Sequence, residues 1–219
     1  EQRGTPFSVR LKTPQSGETT FKDHVYGDIS VKNSEIDDFI LARSDENQTP
    51  VYNFVVVVDD HSMAITHVIR GEDHISNTIK QILIYKALNW EIPEFVHLPM
   101  ILGPNKERLS KRHGATGVQE YQKEGYQYEG LLNYLAFLGW NPGTDEEIMN
   151  LDALAKSFSF EGIQRKGAIF DIKKLNWFSS KHLSIQPSDS IIDNVIKIEK
   201  KWALGYEKTY ILKVVDLLK

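Results

Sequence analysis

The first part of the chain alternates between apolar and polar positions over short stretches that turn-forming residues separate. Residues 7–12 alternate with the period of two that a half-buried strand requires, and residues 14–17 then supply a turn. Three further short strands are predicted at residues 21–26, 28–32 and 39–42. The pattern predicts a small antiparallel sheet with one face toward solvent.

Apolar residues become continuous after this region. Residues 52–58 and 64–69 are each predicted to form a strand that is covered on both faces. Ser76 and Asn77 are candidate N-caps of an amphipathic helix, and residues 95–102 form a third predicted strand. A strand, a helix and a strand at this spacing make a βαβ unit, so we expect its strands to be parallel.

The remainder of the chain has helical periodicity. The apolar positions predict helices at residues 130–138, 151–158, 171–178, 191–202 and 207–219. The first of these is apolar nearly all round, which predicts a buried helix, and Asp171 is a candidate N-cap for the third.

The composition is ordinary for a globular protein, with 41% hydrophobic residues, 26% charged residues and a net charge of −4. The 219 residues include no cysteine, which excludes disulfides and cysteine-ligated zinc and fits a cytoplasmic location. No apolar run reaches the roughly 20 residues that a membrane helix needs, so no membrane partner is expected. The chain begins at Glu1 and stops at Lys219 inside an apolar repeat, so we expect it to be a segment of a longer protein.

Cations concentrate between Gly103 and Gly114 against this acidic background. The run contains Lys106, Glu107, Arg108, Ser110, Lys111 and Arg112. The flanking glycines predict a loop. Cations around a small hydroxyl suit the phosphates of a nucleoside triphosphate, whereas a charge run taken alone favours a solvated loop.

Arg70 follows the second continuous apolar run, at the predicted carboxyl end of a parallel strand. Ligands of open α/β sheets bind beyond these ends, and the third predicted strand leads into the basic run. The guanidinium could bind a substrate carboxylate, and an internal ion pair with Glu72 or Asp73 is an equal alternative. The acidic and histidine residues nearby lack the spacing of known metal motifs, so we expect no metal site built from protein ligands.

Several blocks of the sequence carry a resemblance to one family. Residues 108–112, Arg-Leu-Ser-Lys-Arg, resemble the KMSKS signature of class I aminoacyl-tRNA synthetases in the form that glutamyl-tRNA synthetases carry. Residues 52–60, 66–74, 111–115 and 132–140 are similar to the same bacterial family. The similarity extends from about residue 4 to about residue 183, and the chain is identified on this ground as a central segment of a bacterial-type glutamyl-tRNA synthetase.

The resemblance implies that ATP and L-glutamate form glutamyl-adenylate and that the glutamyl group passes to the terminal ribose of tRNA(Glu). Lys111 is implied to hold the ATP phosphates, with magnesium arriving on the nucleotide. The ATP-binding set implied by the family is Met100, Ile101, Arg108, Leu109 and Lys111. The implied catalytic residues are Lys111, Ser110 and Arg112, the last two shaping the loop. Arg70 is implied to bind the side-chain carboxylate of glutamate, with Tyr52 lining the pocket and Asp73 close to the substrate. From the residues alone, core packing is the favoured role of Tyr52.

The resemblance also implies an α/β fold with four parts. Residues 1–50 would be the rear of the acceptor-end domain, 51–105 the second half of a Rossmann fold, 106–185 the KMSKS loop with stem-contact helices, and 186–219 the start of an anticodon-binding region. A monomer is expected.

One departure from the family concerns its other signature, because no His-x-Gly-His sequence occurs in this chain. We therefore expect the isolated chain to charge tRNA poorly or not at all. Two alternatives stay open: a glutamyl-queuosine tRNA-modifying relative, and a non-catalytic RNA-binding remnant of a synthetase.

Overall fold

The chain divides into two compact units, Glu1–Pro99 and Met100–Lys219. The structure, a computed structural model, describes residues 6–109, 117–199 and 205–219. The α/β class that the sequence predicts is confirmed, since the first unit has four strands followed by alternating helices and strands, and short strands accompany helices in the second. None of the helices in the described ranges is long and apolar enough to cross a membrane.

Six strands and two α-helices lie in the described residues of the first unit, 6–99. They are β1 (Val9–Leu11), β2 (Glu18–Asp23), β3 (Gly27–Lys32), β4 (Phe39–Ala42), α1 (Tyr52–Ser62), β5 (His67–Gly71), α2 (Ile75–Leu88) and β6 (Glu94–Leu98). Four strands form one sheet in the order β3-β2-β6-β5, and β1 pairs separately with β4. The β2–β3 and β1–β4 pairs are antiparallel as predicted, but the four N-terminal strands are divided between two sheets rather than joined in one.

The predicted βαβ unit is present as β5, α2 and β6. The two strands are parallel over five residue pairs, from His67–Glu94 to Gly71–Leu98. Helix α2 is buried on most sides and supplies Ile79 and Leu83 to one core cluster and Ile84 to another. The strands and α1 cover these apolar residues, as the apolar face of an amphipathic helix requires. The carboxyl end of β5 and the start of α2 are thereby held in a fixed geometry.

The prediction of a strand at residues 52–58 is wrong, because these residues begin helix α1. A short valine-rich run does not distinguish a buried strand from a buried helix, and packing overrides the β-propensity of valine. Within the run Val57 is fully buried against Ile84 and Tyr85, while Val55 is 37% exposed, so only one face of the run is covered.

Three boundaries near the site also differ from prediction. Strand β5 starts three residues later than expected, after a turn in which Ala64 adopts a left-handed φ of 54°. Helix α2 starts at Ile75, with His74 as its N-cap residue and no side-chain capping bond, so the predicted caps Ser76 and Asn77 are wrong. The predicted strand 95–102 is divided into β6 and a separate β7.

The second unit is mainly helical in its described residues. Its elements are β7 (Ile101–Leu102), α3 (Val118–Lys123), α4 (Tyr128–Ala136), α5 (Leu151–Ser157), β8 (Ala168–Ile169), α6 (Ile172–Ile185), α7 (Ser188–Ile198) and α8 (Lys208–Leu218). The predicted cap of α6 is confirmed, since the Asp171 carboxylate accepts from the backbone N–H of Lys173 at 2.8 Å.

The helices of the second unit pack around three hydrophobic clusters. In the first cluster, Leu131 and Tyr134 of α4 meet Leu175 and Phe178 of α6. Gly130 permits this approach, because a Cβ there would lie 2.8 Å from the Cα of Ser179. The other two clusters lie around Trp140 and between α7 and α8.

Candidate functional site

A buried carboxylate and a buried histidine form the base of a polar network in the first unit. Asp23 at the end of β2 accepts four hydrogen bonds: from the backbone N–H groups of Val25, Tyr26 and His97 at 2.9, 2.9 and 3.1 Å, and from Nδ1 of His97 at 2.7 Å. Both side chains are fully inaccessible to solvent. Burial lowers the pKa of His97, while Asp23 acts in the opposite direction.

His97 in turn orients Arg70. The two residues are direct partners in the parallel β5–β6 pair, and Nε of Arg70 donates to Nε2 of His97 at 3.3 Å. Because Nε2 accepts, the proton of the neutral ring is on Nδ1, where it is donated to Asp23. The Asp23 carboxylate therefore selects the tautomer that accepts from Arg70.

Helix α2 supplies the other partners of Arg70. Its Nη2 donates to Oγ1 of Thr78 at 2.6 Å and to Oε1 of Gln81 at 2.8 Å. Gln81 also donates from Nε2 to Asn53 of α1 at 3.1 Å, so both helices contribute. These bonds use Nε and Nη2, the Tyr52 side chain is a further hydrogen-bonding neighbour of the guanidinium, and the guanidinium carbon lies 5.9 Å from the ring centre of Phe95.

The electrostatic surroundings of Arg70 come from α1 and its own burial. Desolvation lowers the pKa of Arg70, and the neighbouring Tyr52 and Asp60 oppose this change. Burial raises the pKa of Asp60, and the positive charge of Arg70 lowers it. A partly desolvated cation interacts more strongly with an added carboxylate than an exposed one does, because water screens the pair less.

Tyr52 and Asp73, the other predicted glutamate-site residues, are also in this unit. Tyr52 is 51% exposed, which contradicts the core-packing role that the residues alone favoured for it. Its hydroxyl lies 3.4 Å from Nδ1 of His74, at the start of α2. Asp73 is exposed in the turn before α2, and a Cβ at Gly71 would lie 2.5 Å from its carboxylate oxygen. The structure thus brings Tyr52 to Arg70, and sets Asp73 beside the carboxyl end of β5.

The start of the basic run forms a tight hairpin in the second unit. The backbone N–H of Leu109 donates to Ile101 at 2.8 Å, and that of Gly103 donates to Glu107 at 2.8 Å. Lys106 occupies the turn with a left-handed φ of 63°, and Leu102 forms an isolated antiparallel bridge with Arg108. The predicted ATP-site residues Met100, Ile101, Arg108 and Leu109 therefore lie on, or directly beside, the two arms of one hairpin.

This hairpin is attached to the helical part of the second unit. Strand β7 pairs in parallel with β8, and Phe170 donates its backbone N–H to Leu102 at 2.8 Å. Gly167 lies against this pair, where a Cβ would come within 2.9 Å of the carbonyl oxygen of Met100. The predicted catalytic residues Ser110, Lys111 and Arg112 lie outside the described residues.

The sequence predicted Arg70 but missed the residues that hold it. Asp23 and His97 are 74 positions apart, and neither belongs to a linear motif. The one available signal was a histidine inside an otherwise apolar strand, since a buried imidazole requires hydrogen-bond partners. Thr78 and Gln81 lie on the buried face of α2 and could have been selected for the same reason.

Comparison with known proteins gives one consistent result. Residues 1–177 match the family model described as tRNA synthetases class I (E and Q), catalytic domain. The glutamate–tRNA ligase of Moorella thermoacetica is 50% identical over 183 residues, which cover 84% of this chain and 37% of that relative. Glutamate–tRNA ligase 2 of Thermoanaerobacter pseudethanolicus is 44% identical over 221 residues, covering 100% of this chain and 46% of the relative.

A solved structure agrees with these sequence matches. The glutamate tRNA ligase from Elizabethkingia meningosepticum, determined in complex with its amino acid, superposes with a TM-score of 0.88 at 32% identity. The match covers 97% of this chain and 46% of that one. The chain thus spans less than half the length of these relatives.

Proposed function

Because the chain belongs to the family of class I tRNA synthetases for glutamate and glutamine, we propose that it supplies part of the catalytic centre of a glutamate–tRNA ligase. The ligase would activate L-glutamate with ATP and transfer the glutamyl group to the 3′ end of tRNA(Glu). Sequence relatives and structural neighbours that carry the name glutamate–tRNA ligase support glutamate over glutamine as the amino acid.

The observation that carries the proposal is the way in which Arg70 is held. Three bonds, to His97, Thr78 and Gln81, fix the guanidinium plane through Nε and Nη2. A guanidinium that is oriented before the substrate arrives loses little conformational entropy on binding, and it prefers a carboxylate to a neutral amide. Arg70 would therefore distinguish the side chain of glutamate from that of glutamine.

Tyr52 and Asp73 are assigned supporting roles in the same pocket. The half-exposed hydroxyl of Tyr52 lies beside Arg70 and His74, from where it can donate to a substrate oxygen. The exposed carboxylate of Asp73 suits a cationic group, such as the ammonium of an amino acid.

ATP is assigned to the hairpin and to the basic run that continues from it. The backbone of Met100 and Ile101 would meet the adenine, while Arg108 and Leu109 lead into Ser110, Lys111 and Arg112. Lys111 would stabilise the charge that develops on the pyrophosphate as the α-carboxylate of glutamate attacks the α-phosphate. This role requires positioning and electrostatic stabilisation rather than acid–base chemistry. Magnesium would be carried on the phosphates, which suits the reluctance of this ion to lose its water ligands.

The domain assignment that the sequence suggests is part of the proposal. Residues 1–50 would contact the acceptor end of the tRNA, 51–105 would carry the amino acid site, 106–185 would contact the stem, and 186–219 would begin the anticodon-binding region. A monomeric protein in the cytoplasm fits this role.

The proposal is tested by restoring the parts of the enzyme that relatives have and this chain does not include. The chain would replace the matching segment of the Thermoanaerobacter ligase, which aligns with it over its whole length. ATP-dependent formation of glutamyl-tRNA by the purified chimera is the expected result. A chimera that folds, as judged by a cooperative thermal transition, and still forms no glutamyl-tRNA would contradict the proposal.

A further inference from the structure

A second polar cluster lies on the face of the four-stranded sheet opposite to Arg70. His67 and Glu94 are the first residues of β5 and β6 and are direct partners in the parallel register. Side chains alternate between the two faces of a sheet. Because Arg70 is an odd number of residues beyond His67 in β5, the two side chains lie on opposite faces. The cluster is therefore separate from the glutamate site and independent of the proposed function.

The third member of the cluster is His24, directly after β2. Its backbone N–H donates to the carbonyl of Phe95 at 3.0 Å, and the N–H of Glu94 donates to Thr66 at 2.9 Å. Backbone hydrogen bonds of the sheet thus place all three side chains. Such placement from a rigid element is what a preorganised ligand set requires.

The donor atoms are close enough to share one ion. Nε2 of His24 lies 2.5 Å from Oε2 of Glu94, and Nε2 of His67 lies 3.7 Å from the same oxygen. All three donor atoms lie within 4.8 Å of one another. Tetrahedral zinc with bonds of about 2.0–2.1 Å separates its ligand atoms by about 3.3 Å. The His67–Glu94 distance of 3.7 Å is already near this value. The His24–Glu94 distance of 2.5 Å must lengthen by less than about 1 Å, which a rotation of the carboxylate can supply.

The chemistry of the donors favours a borderline divalent metal. Nδ1 of His67 lies 2.9 Å from Oγ1 of Thr66, and a hydroxyl that accepts from Nδ1–H leaves Nε2 as a lone-pair donor. Two imidazoles and one carboxylate form a ligand set that zinc uses when water fills a fourth position. The side chains of His24, His67 and Glu94 are 31%, 38% and 59% exposed, so solvent reaches that position.

We propose that His24, His67 and Glu94 bind one Zn²⁺ ion, or a chemically similar first-row divalent cation, at the edge of the sheet where β5 and β6 begin. The ion joins the carboxyl end of β2 to the amino ends of β5 and β6. Since β2 and β6 are paired through the single register position Asp23–Phe95, a cross-link at this junction would reinforce the sheet.

The test is a titration of the purified chain, prepared without an affinity tag, with Zn²⁺ in a calorimeter. One site per chain is expected. Zinc affinity should fall by on the order of 100-fold in each of three variants, His24→Asn, His67→Asn and Glu94→Gln. Loss of a residue that only orients a metal ligand usually costs about 10- to 100-fold, and loss of a ligand should cost at least as much. His61→Asn is the matched control, because it removes an exposed imidazole that stacks on Trp90 outside the cluster, and its affinity should equal that of the native chain.

Two further measurements distinguish a specific three-ligand site from nonspecific binding of zinc to surface histidines. Co²⁺ should give the visible absorption of a tetrahedral or five-coordinate site in the native chain and lose it in His67→Asn. Zn²⁺ should raise the thermal midpoint of the native chain and of His61→Asn, and should leave that of His24→Asn unchanged. Absence of one-site binding in the native chain, or equal loss of affinity in His61→Asn, would overturn the proposal.

Discussion

At the scale of single residues, Asp23 determines the orientation of Arg70 without touching it. Its carboxylate accepts from Nδ1 of His97, which leaves Nε2 of the ring to accept from Arg70. The guanidinium is thus positioned by residues on β2, β6 and α2. A mutation of the buried residues is expected to affect glutamate binding through geometry rather than through direct contact.

His97 should make the stability of the chain depend on pH. Burial lowers its pKa from the ordinary value of 6.5, so the folded chain binds fewer protons there than the unfolded chain does. The free energy of unfolding should therefore fall as the pH drops below about 6.5, by at most about 1.4 kcal/mol per pH unit from this group. Arg70 and His74 lower the pKa further, and Asp23 raises it.

The measurement is urea-induced unfolding between pH 5 and pH 8. His97→Gln should unfold at a lower urea concentration at every pH. Below about pH 6.5, its free energy of unfolding should fall less steeply with decreasing pH than that of the native chain. His182, whose pKa burial also lowers, retains its own contribution in both chains. Val96→Ala is the control, since it destabilises the same strand and removes no titrating group. Equal slopes for the native chain and His97→Gln would show that His97 does not titrate in this way.

Lys111 should matter for chemistry and little for stability. In the chimeric ligase, Lys111→Ala is expected to reduce glutamyl-adenylate formation by about 100-fold or more, because it removes a charge that stabilises the transition state. The thermal midpoint should change little. Lys123→Ala, which removes a lysine paired with Glu120 on the surface of α3, should leave both quantities unchanged. Adenylate formation at the native rate in Lys111→Ala would refute the assigned role.

At the scale of elements, the sequence predicted strand β5 and helix α2 of the site and missed helix α1. Strand β5 and helix α2 follow from an apolar run and a 3.6-residue period, and their parallel crossover is confirmed. Helix α1 could not be separated from a strand, because its valines face α2 on one side only, and that partner is distant in sequence. Long-range register also explains why the sequence did not bring together the proposed metal ligands, since His24 and Glu94 lie 70 positions apart.

The β7–β8 pair is the element that holds the hairpin of residues 101–109, and Gly167 is its sensitive position. Gly167→Ala should cost about 1–3 kcal/mol, because a Cβ would meet the backbone oxygen of Met100 and the side chain of Leu102. Amide exchange of Phe170, whose N–H is bonded to Leu102, should become faster.

Gly117→Ala is the matched control for this substitution. The nearest atom to a Cβ there is the end of the Gln119 side chain, which can move away, so the cost should be within about 0.5 kcal/mol. Equal exchange rates for Phe170 in the native chain and in Gly167→Ala would show that this contact does not hold the hairpin.

At the scale of the whole molecule, each unit contains its own part of the proposed centre. The first contains the Arg70 network, to which we assign the amino acid, and the second contains the hairpin that leads to Lys111. The family signatures in the sequence predicted which residues belong to each part. The buried residues that hold Arg70, such as Asp23 and His97, are brought together only by the three-dimensional fold. The relatives are more than twice as long as the segments that match this chain. The proposed activity is therefore tested in the full-length chimeric ligase.

The central claim is that Arg70 selects glutamate, and the most direct test is the ratio of kcat/KM for L-glutamate to that for L-glutamine in the chimeric ligase. We predict a strong preference for glutamate. Arg70→Gln should reduce kcat/KM for glutamate by about 100-fold or more, as expected for the loss of a desolvated charge pair, and Arg43→Gln in an exposed loop should not. Equal use of glutamine by the native chimera, or unchanged kcat/KM for glutamate in Arg70→Gln, would contradict the account.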